Sequence, residues 1–142
     1  MVKIVFSGLN HNTTNFLESI RFYEELLGLK AKRCYENRWA EFEEFGLMNI
    51  NYDYERIDSG EFRKHVSDNY LEFLQEEQLT NRKGFIASFQ TDNIQEAYQL
   101  VLRMKKPPKT ITEIMKVNFS IPFLFFQCED PSGNILEIFQ FG

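Results

Sequence analysis

The chain has 142 residues, of which 15% are aromatic, and carries a formal net charge of −5. A chain of this length can bury the core of a single domain. Its acidic balance argues against nucleic acid as a partner, because binding to a phosphate backbone needs a clustered cationic surface. The sequence shows no charged-then-apolar leader and no apolar run of the roughly 20 residues that cross a bilayer, so we expect a cytoplasmic protein with no membrane partner.

Residues 1–54 predict a strand, a helix and three further strands. The first strand runs from about Val2 to Leu9, and an Asn- and Thr-rich segment follows that is suited to cap a helix. The helix is predicted from an apolar stripe at helical spacing, and Gly28 stands where it should end. The stripe consists of Phe16, Ile20, Tyr23 and Leu27. The strands that follow are predicted near residues 31–36, 38–45 and 47–54, with Asn37 and Gly46 as turn residues.

Residues 55–83 predict a helical connector. The tetrapeptide Asp58-Ser59-Gly60-Glu61 resembles a capping box, which marks the start of a helix. Apolar residues at helical spacing follow it, so we expect one further helix here. These apolar residues are Phe62, Val66, Tyr70, Phe73 and Leu74.

Residues 84–142 repeat the order of the first half. They predict a strand over 85–90, a helix over 93–105 and strands near 110–117, 122–128 and 134–141. A shift of 78 positions aligns residues 15–20 with residues 93–98, and each segment opens a helix flanked by strands. This repeat indicates two related modules. Near the end of the chain, Asp130-Pro131-Ser132-Gly133 predicts a type I turn, which favours Pro at its second position and Gly at its fourth.

Three features together resemble the glyoxalase/bleomycin resistance/dioxygenase superfamily, also called the vicinal oxygen chelate proteins. They are the two βαβββ modules, the helix exit over residues 19–29, and the turn and strand from Asp130 to Glu137. The resemblance implies an α+β fold like that of dihydroxybiphenyl dioxygenase: one domain with modules at residues 1–54 and 84–142 and the connector at 55–83. The curved sheets of the two modules are expected to enclose a cavity. The superfamily often pairs modules between chains, so we expect a homodimer; pairing within one chain stays open.

The resemblance also assigns metal-ligand positions, because metalloenzymes of the superfamily bind a divalent ion through His and Glu of the first and last strands. Glu137 matches the last-strand carboxylate. Ile86 stands at one His position, and Gly8 or, if a gap is allowed, Phe6 stands at the other. Asn49 stands at the counterpart of Glu137. One anionic ligand is insufficient for a tight transition-metal site. We therefore expect no cofactor.

The alternative is one divalent metal ion held by Glu137, with His11 as a further ligand from the loop after the first strand. The protein would then be a lyase, isomerase or dioxygenase of the same superfamily. Whether the chain is an enzyme at all is left open by the sequence.

Strand alternation predicts the side chains that line the groove between the modules. Trp39 and Glu41 face away from Ala40 and Phe42, which we expect to lie under a helix. Asn49 and Asn51 are placed on the groove side of the next strand, and Phe125 beside Glu137. The predicted ligand-binding residues are Trp39, Glu41, Asn49, Asn51, Phe125 and Glu137.

This set describes an aromatic, acidic groove, which suits a small organic molecule that is aromatic or cationic. Glu137 is also the candidate catalytic residue, because burial among apolar neighbours raises the pKa of a carboxyl group toward that of a general base. The leading hypothesis is a metal-independent small-molecule-binding protein that acts in sequestration or resistance. A further alternative is a non-catalytic interaction module whose groove is filled by side chains.

Overall fold

A computed structural model of the chain describes residues 2–43, 45–82, 84–108, 110–129 and 134–142. Over these residues, eight strands form one mixed sheet in the order β2-β3-β4-β1-β5-β8-β7-β6. The predicted turn Asp130-Pro131-Ser132-Gly133 lies outside the described residues. The strands are β1 (Ile4–Thr13), β2 (Arg33–Tyr35), β3 (Trp39–Glu41), β4 (Phe45–Asn49), β5 (Gly84–Thr91), β6 (Met115–Asn118), β7 (Pro122–Glu129) and β8 (Ile135–Phe141). The helices are α1 (Phe16–Leu27), α2 (Ile50–Arg56), α3 (Gly60–Arg63), α4 (Asp68–Gln75) and α5 (Ile94–Leu102).

The centre of the sheet is the antiparallel pair of β1 and β5, which belong to the same chain. On one side β1 pairs in parallel with β4, and on the other β5 pairs in parallel with β8. The α+β class expected from the sequence is confirmed. None of the helices in the described residues is long and apolar enough to cross a membrane.

Helices α1 and α5 cover what we call the outer face of the sheet. Phe16 and Ile20 of α1 belong to one buried cluster. The sheet side of this cluster consists of Ala40 of β3, Leu47 of β4 and Phe42 between these two strands. The apolar stripe of α5 packs in the same way against Phe126 and Ile138. As predicted, α1 ends at Gly28, which adopts a left-handed conformation with φ of 69°.

Helices α2 to α4 lie against the opposite face, which we call the inner face. Tyr70 and Leu74 of α4 belong to one buried cluster with Met115, Val117 and Phe125 of β6 and β7. The prediction of a single helix in this segment is wrong. Ser59 and Ser67 each accept a hydrogen bond from a backbone N–H three residues later, so each begins a new short helix.

A buried ion pair fixes these helices to the sheet. The carboxylate of Asp53 in α2 is fully buried and accepts two hydrogen bonds from the guanidinium of Arg38, at 2.7 and 2.9 Å. The hydroxyl of Tyr70 donates a third, at 2.6 Å. This bidentate arrangement satisfies a charge that would otherwise be costly to bury. It ties α2 and α4 to the residue that precedes β3.

Two strand boundaries differ from the prediction, and both differences affect the site. The strand predicted over residues 47–54 ends at Asn49, because the Asn49 side chain accepts a hydrogen bond from the backbone N–H of Asn51 and caps α2. The first strand, in contrast, continues to Thr13, since residues 9–13 pair with β4. Asn10, His11 and Asn12 are therefore strand residues and not loop residues.

Candidate ligand-binding site

Glu137 lies near the middle of the sheet, on the inner face. In the sheet register it is opposite Ser88 of β5 on one side and Gln127 of β7 on the other. Ser88 and Gln127 are buried, while Glu137 is half-buried. Asn10 of β1 donates a hydrogen bond from Nδ2 to Oε2 of Glu137 at 3.2 Å. Four strands therefore converge on one carboxyl group.

The ionisation of Glu137 is shifted toward neutral pH. Burial raises the pKa of its carboxyl group from 4.5 to about 7. Hydrogen bonds from Gln127, Ser88 and Asn10 and the positive charge of Arg38 lower it, but by less than burial raises it. A carboxyl group with such a pKa can hold or release a proton near pH 7, which is also the requirement for a general acid or base.

Two further residues extend this arrangement toward the start of β5. The side-chain amide of Asn12 donates to the backbone carbonyl of Arg82, which holds the chain just before β5. Arg82 in turn donates from Nε to Oε1 of Gln127 at 3.3 Å. Since that oxygen is engaged, the amide NH₂ of Gln127 is the group that faces Glu137. We call Asn10, Asn12, Arg82, Ser88, Gln127 and Glu137 the polar cluster.

An aromatic surface adjoins the polar cluster on the inner face. The Trp39 indole lies over Gly46, where a Cβ atom would collide with the ring. Gly46 pairs with Glu41 of β3 on one side and with Asn10 of β1 on the other. Gly46 therefore lies between Glu41 and Asn10 in the sheet, with the indole above it. The side-chain amide of Asn10 in turn donates a hydrogen bond to Glu137.

Among the predicted groove residues, Trp39, Glu41, Phe125 and Glu137 lie on the inner face, as strand alternation predicts. Phe125 is only 5% exposed. Its ring packs edge-on against Tyr70 of α4, with the centroids 5.8 Å apart. Phe125 is therefore part of the core beneath α4 and is covered by the helix.

Asn49 is the last residue of β4 and Asn51 lies in α2, so the prediction that both line the groove from one strand is wrong. Asn49 caps α2 and donates from Nδ2 to the carbonyl of Asn37 at 2.9 Å. Asn51 lies in α2 and donates to the carbonyl of Thr14 at 2.8 Å. Both amides hold local backbone in place, because the strand ends at Asn49, five residues before its predicted end at residue 54.

His11 lies on the outer face, with the sheet between it and Glu137. Its ring stacks on Phe85 with the centroids 4.5 Å apart and meets Tyr23 edge-on at 6.4 Å. Successive residues of β1 point to opposite faces, so Asn10 and Asn12 face the polar cluster while His11 faces α1. His11 and Glu137 cannot bind the same ion in this arrangement.

The donor set around Glu137 does not fit a divalent metal ion. The described part of the chain contains no group of three or more His, Cys, Asp or Glu side chains placed to hold one. The neighbours of Glu137 are Asn10, Ser88 and Gln127, which donate hydrogen bonds to it and carry no negative charge. Tight sites for such ions use several imidazole, thiolate or carboxylate ligands. Glu137 is arranged as a hydrogen-bonded carboxyl group.

Sequence reasoning missed most of the polar cluster. Ser88 has a signal in the sequence, because it lies on the same face of β5 as Ile86, which stands at a metal-ligand position of the superfamily. The register places Ser88, two residues after Ile86, opposite Glu137. Asn10 was missed because the first strand was predicted to stop at Leu9. Arg82 gave no signal in the sequence.

The fold is that of known structures, although the sequence matches no protein-family model and no curated protein. One similar structure is the crystal structure of a glyoxalase/bleomycin resistance protein/dioxygenase superfamily member from Vibrio splendidus 12B01. It has a TM-score of 0.57 and 12% identity, with both chains covered completely. Another is the crystal structure of NAD-dependent benzaldehyde dehydrogenase from Legionella pneumophila, with a TM-score of 0.57 and 17% identity over 99% of this chain and 100% of that chain. At these identities the likeness shows the fold alone.

Proposed function

We propose that this chain, which has the fold of the glyoxalase/bleomycin resistance protein/dioxygenase superfamily, is a metal-independent small-molecule-binding protein. The ligand contacts the polar cluster around Glu137 and the neighbouring Trp39 indole. The observation that carries the proposal is a carboxyl group held by three hydrogen-bond donors on the inner face, one of which, Asn10, pairs with Gly46 beneath the Trp39 indole.

The proposed site lies where two βαβββ modules meet. The order of one strand, one helix and three strands occurs before α2 and again after α4. We interpret these two sets as the repeated modules, which pair within one chain through β1 and β5. Asn10 belongs to the first set, while Ser88, Gln127 and Glu137 belong to the second. A ligand at Glu137 would therefore contact both modules.

The chemistry of the surface favours a flat organic cation. The face of an indole attracts a cation, and Trp39 is the only tryptophan in the chain. Glu41 and Glu137 supply negative charge on the same face, and the amide of Asn10 fixes the position of the Glu137 carboxylate. These contacts are sufficient for sequestration of an aromatic cation, and sequestration requires no covalent bond to be made or broken.

Binding of such a cation depends on the ionisation of Glu137. The pKa of Glu137 is about 7, so about half of the free protein carries the neutral carboxyl group at pH 7. A cation binds better to the carboxylate. Affinity should therefore rise as the pH increases from about 6 to 8 and then level off.

The test is a panel of aromatic amidines and aromatic quaternary ammonium ions, which are cationic between pH 6 and 8, screened in the presence of EDTA by the emission of Trp39 and by thermal stabilisation. For a cation that binds, Glu137→Gln should weaken affinity about tenfold or more, as expected for loss of a charge-assisted contact of about 1.5–3 kcal/mol. Glu18→Gln, which removes an exposed carboxylate on α1, is the matched control and should bind like the wild type. Equal affinity in Glu137→Gln, or a requirement for a divalent ion, would contradict the proposal.

A second candidate function is a non-catalytic interaction module with a filled groove. The packing of α4 over β6 and β7 favours it, because Tyr70 and Phe125 occupy that part of the inner face. In this case no member of the panel changes the emission of Trp39 or the melting temperature. The same screen therefore separates the two functions.

A further inference from the structure

Arg82 is the cationic member of the polar cluster, and part of its guanidinium is not engaged. Its Nε atom donates to Oε1 of Gln127 at 3.3 Å. Among the hydrogen bonds and ion pairs of the described residues, none uses Nη1 or Nη2 of Arg82. The residue is only half-buried, which leaves these two groups open to a molecule from solution.

The position of Arg82 is fixed by its backbone and by its side chain. The backbone N–H donates to the carbonyl of Leu79 at 3.0 Å, and the backbone carbonyl accepts from the side-chain amide of Asn12. Strand β8 lies between β5 and β7 in the sheet. The Arg82 side chain therefore crosses β8 to reach Gln127, whose partner in the register is Glu137. The guanidinium is thus held on the inner face before any ligand arrives.

Gln127 separates the two charges of the site. Its Oε1 accepts from Arg82, and its NH₂ donates to Glu137. The two ends of an amide are about 2.3 Å apart, so with one hydrogen bond at each end the Nε of Arg82 and the bonded oxygen of Glu137 lie within roughly 9 Å. The ion pairs of the described residues do not include one between Arg82 and Glu137. A neutral side chain holds the two charges apart at a spacing that a small molecule can bridge.

This pair of charges complements a ligand that carries both signs. An aromatic cation without an anionic group pairs with Glu137 but lies close to the positive charge of Arg82, which repels it. A carboxylate on the same ligand turns this repulsion into attraction. A guanidinium binds a carboxylate through two parallel N–H···O hydrogen bonds, and Nη1 and Nη2 provide such a pair of donors.

We infer that the ligand of this site is an aromatic zwitterion, whose cationic group contacts Glu137 and whose carboxylate is bound by Arg82. This inference rests on the proposed function, because it names the class of ligand for the same site. It makes Arg82 the residue that distinguishes a zwitterion from a simple cation. The two charged groups of the ligand must lie close together, as on one aromatic ring, since their partners on the protein are within roughly 9 Å of each other.

The test is titration calorimetry of the full chain in EDTA at pH 8, where most of Glu137 is ionised because its pKa is about 7. The zwitterion 3-amidinobenzoate is compared with 3-carbamoylbenzamidinium, which has the same shape but a neutral amide in place of the carboxylate. The wild type should bind the zwitterion about tenfold more tightly, as expected for one charge-assisted pair. Arg82→Gln should lose this preference. Arg103→Gln, which removes an exposed guanidinium just after α5, is the matched control and should keep it.

The outcomes separate this inference from the proposed function. The preference is a ratio of two affinities for one protein, so a general weakening of binding in Arg82→Gln does not change it. Equal affinity of the wild type for the two ligands would overturn the inference without any substitution, and so would a tenfold preference that persists in Arg82→Gln. In both cases the amidinium still binds, and the proposed function stands. If neither ligand binds the wild type, the proposed function fails and the inference fails with it.

Discussion

The ionisation of Glu137 makes the stability of the fold depend on pH in a defined direction. A carboxyl group whose pKa is higher in the folded than in the unfolded protein binds its proton more tightly in the folded state. Its contribution to the free energy of unfolding is complete below the unfolded pKa of about 4.5. It declines as the pH rises toward 7 and stays constant above it. Glu137→Gln keeps the shape of the side chain and removes this titration.

The magnitude follows from the two pKa values. The pKa rises from 4.5 to about 7, and each pH unit between them corresponds to about 1.4 kcal/mol, so the upper limit is about 3.4 kcal/mol. Because Glu137 is partly exposed to water, which screens its charge, we expect about 2 kcal/mol. Since pH 5 already lies above the unfolded pKa, the window from pH 5 to pH 8 contains about three quarters of this effect, and the wild type should lose about 1.5 kcal/mol more than Glu137→Gln across it.

The assay is urea denaturation of both proteins at pH 5 and pH 8, followed by Trp39 emission. Comparing the two proteins cancels the titration of all other groups that are unaffected by the substitution. Glu18→Gln serves as the control and should show the pH dependence of the wild type. If Glu137→Gln and the wild type lose the same stability, or the wild type becomes relatively more stable at pH 8, the assignment of Glu137 as a carboxyl group with a raised pKa is wrong.

Three further substitutions test the packing around the site. Tyr70→Phe removes the hydroxyl that donates to Asp53 and should lower the free energy of unfolding by about 2 kcal/mol in urea denaturation; an unchanged midpoint would speak against that bond. Asp53→Ala leaves Arg38 without its carboxylate and should cost about 3–5 kcal/mol in the same measurement, whereas a loss below 1 kcal/mol would mean that the pair is dispensable. Gly46→Ala places a methyl group where the Trp39 indole lies, so the emission of this single tryptophan should move to longer wavelength; an unaltered spectrum would contradict the placement of the ring.

The sequence predicts the outer face well because two simple periodicities determine it. The stripe of α1 and the alternation of Ala40 and Phe42 each place apolar side chains on one side of an element, and burial follows directly. Glu137, Trp39 and Glu41 were assigned to the inner face by the same alternation. These features depend on residues close together in the chain.

The inner face was predicted less well for two reasons. A helix cap competes there with the strand pattern, and several of its hydrogen bonds join residues that are far apart in the sequence. Residues 50–54 continue the alternating pattern of β4, yet the cap supplied by Asn49 converts them into helix α2. The bond of Arg82 to Gln127 joins residues 45 positions apart, and that of Asn12 to Arg82 joins residues 70 apart. Helical or strand periodicity in the sequence does not predict hydrogen bonds between such distant residues.

Native mass spectrometry of untagged protein grown in metal-replete medium is the decisive measurement for metal-independent ligand binding at Glu137. We expect a chain without a stoichiometric divalent ion, which forms a one-to-one complex with an aromatic amidinium ion in the presence of EDTA. At a ligand concentration near the dissociation constant of the wild type, the fraction of protein in that complex should fall severalfold in Glu137→Gln and be unchanged in Glu18→Gln. A stoichiometric divalent ion that is held by the wild type and lost in Glu137→Gln would contradict metal-independent binding at this carboxyl group.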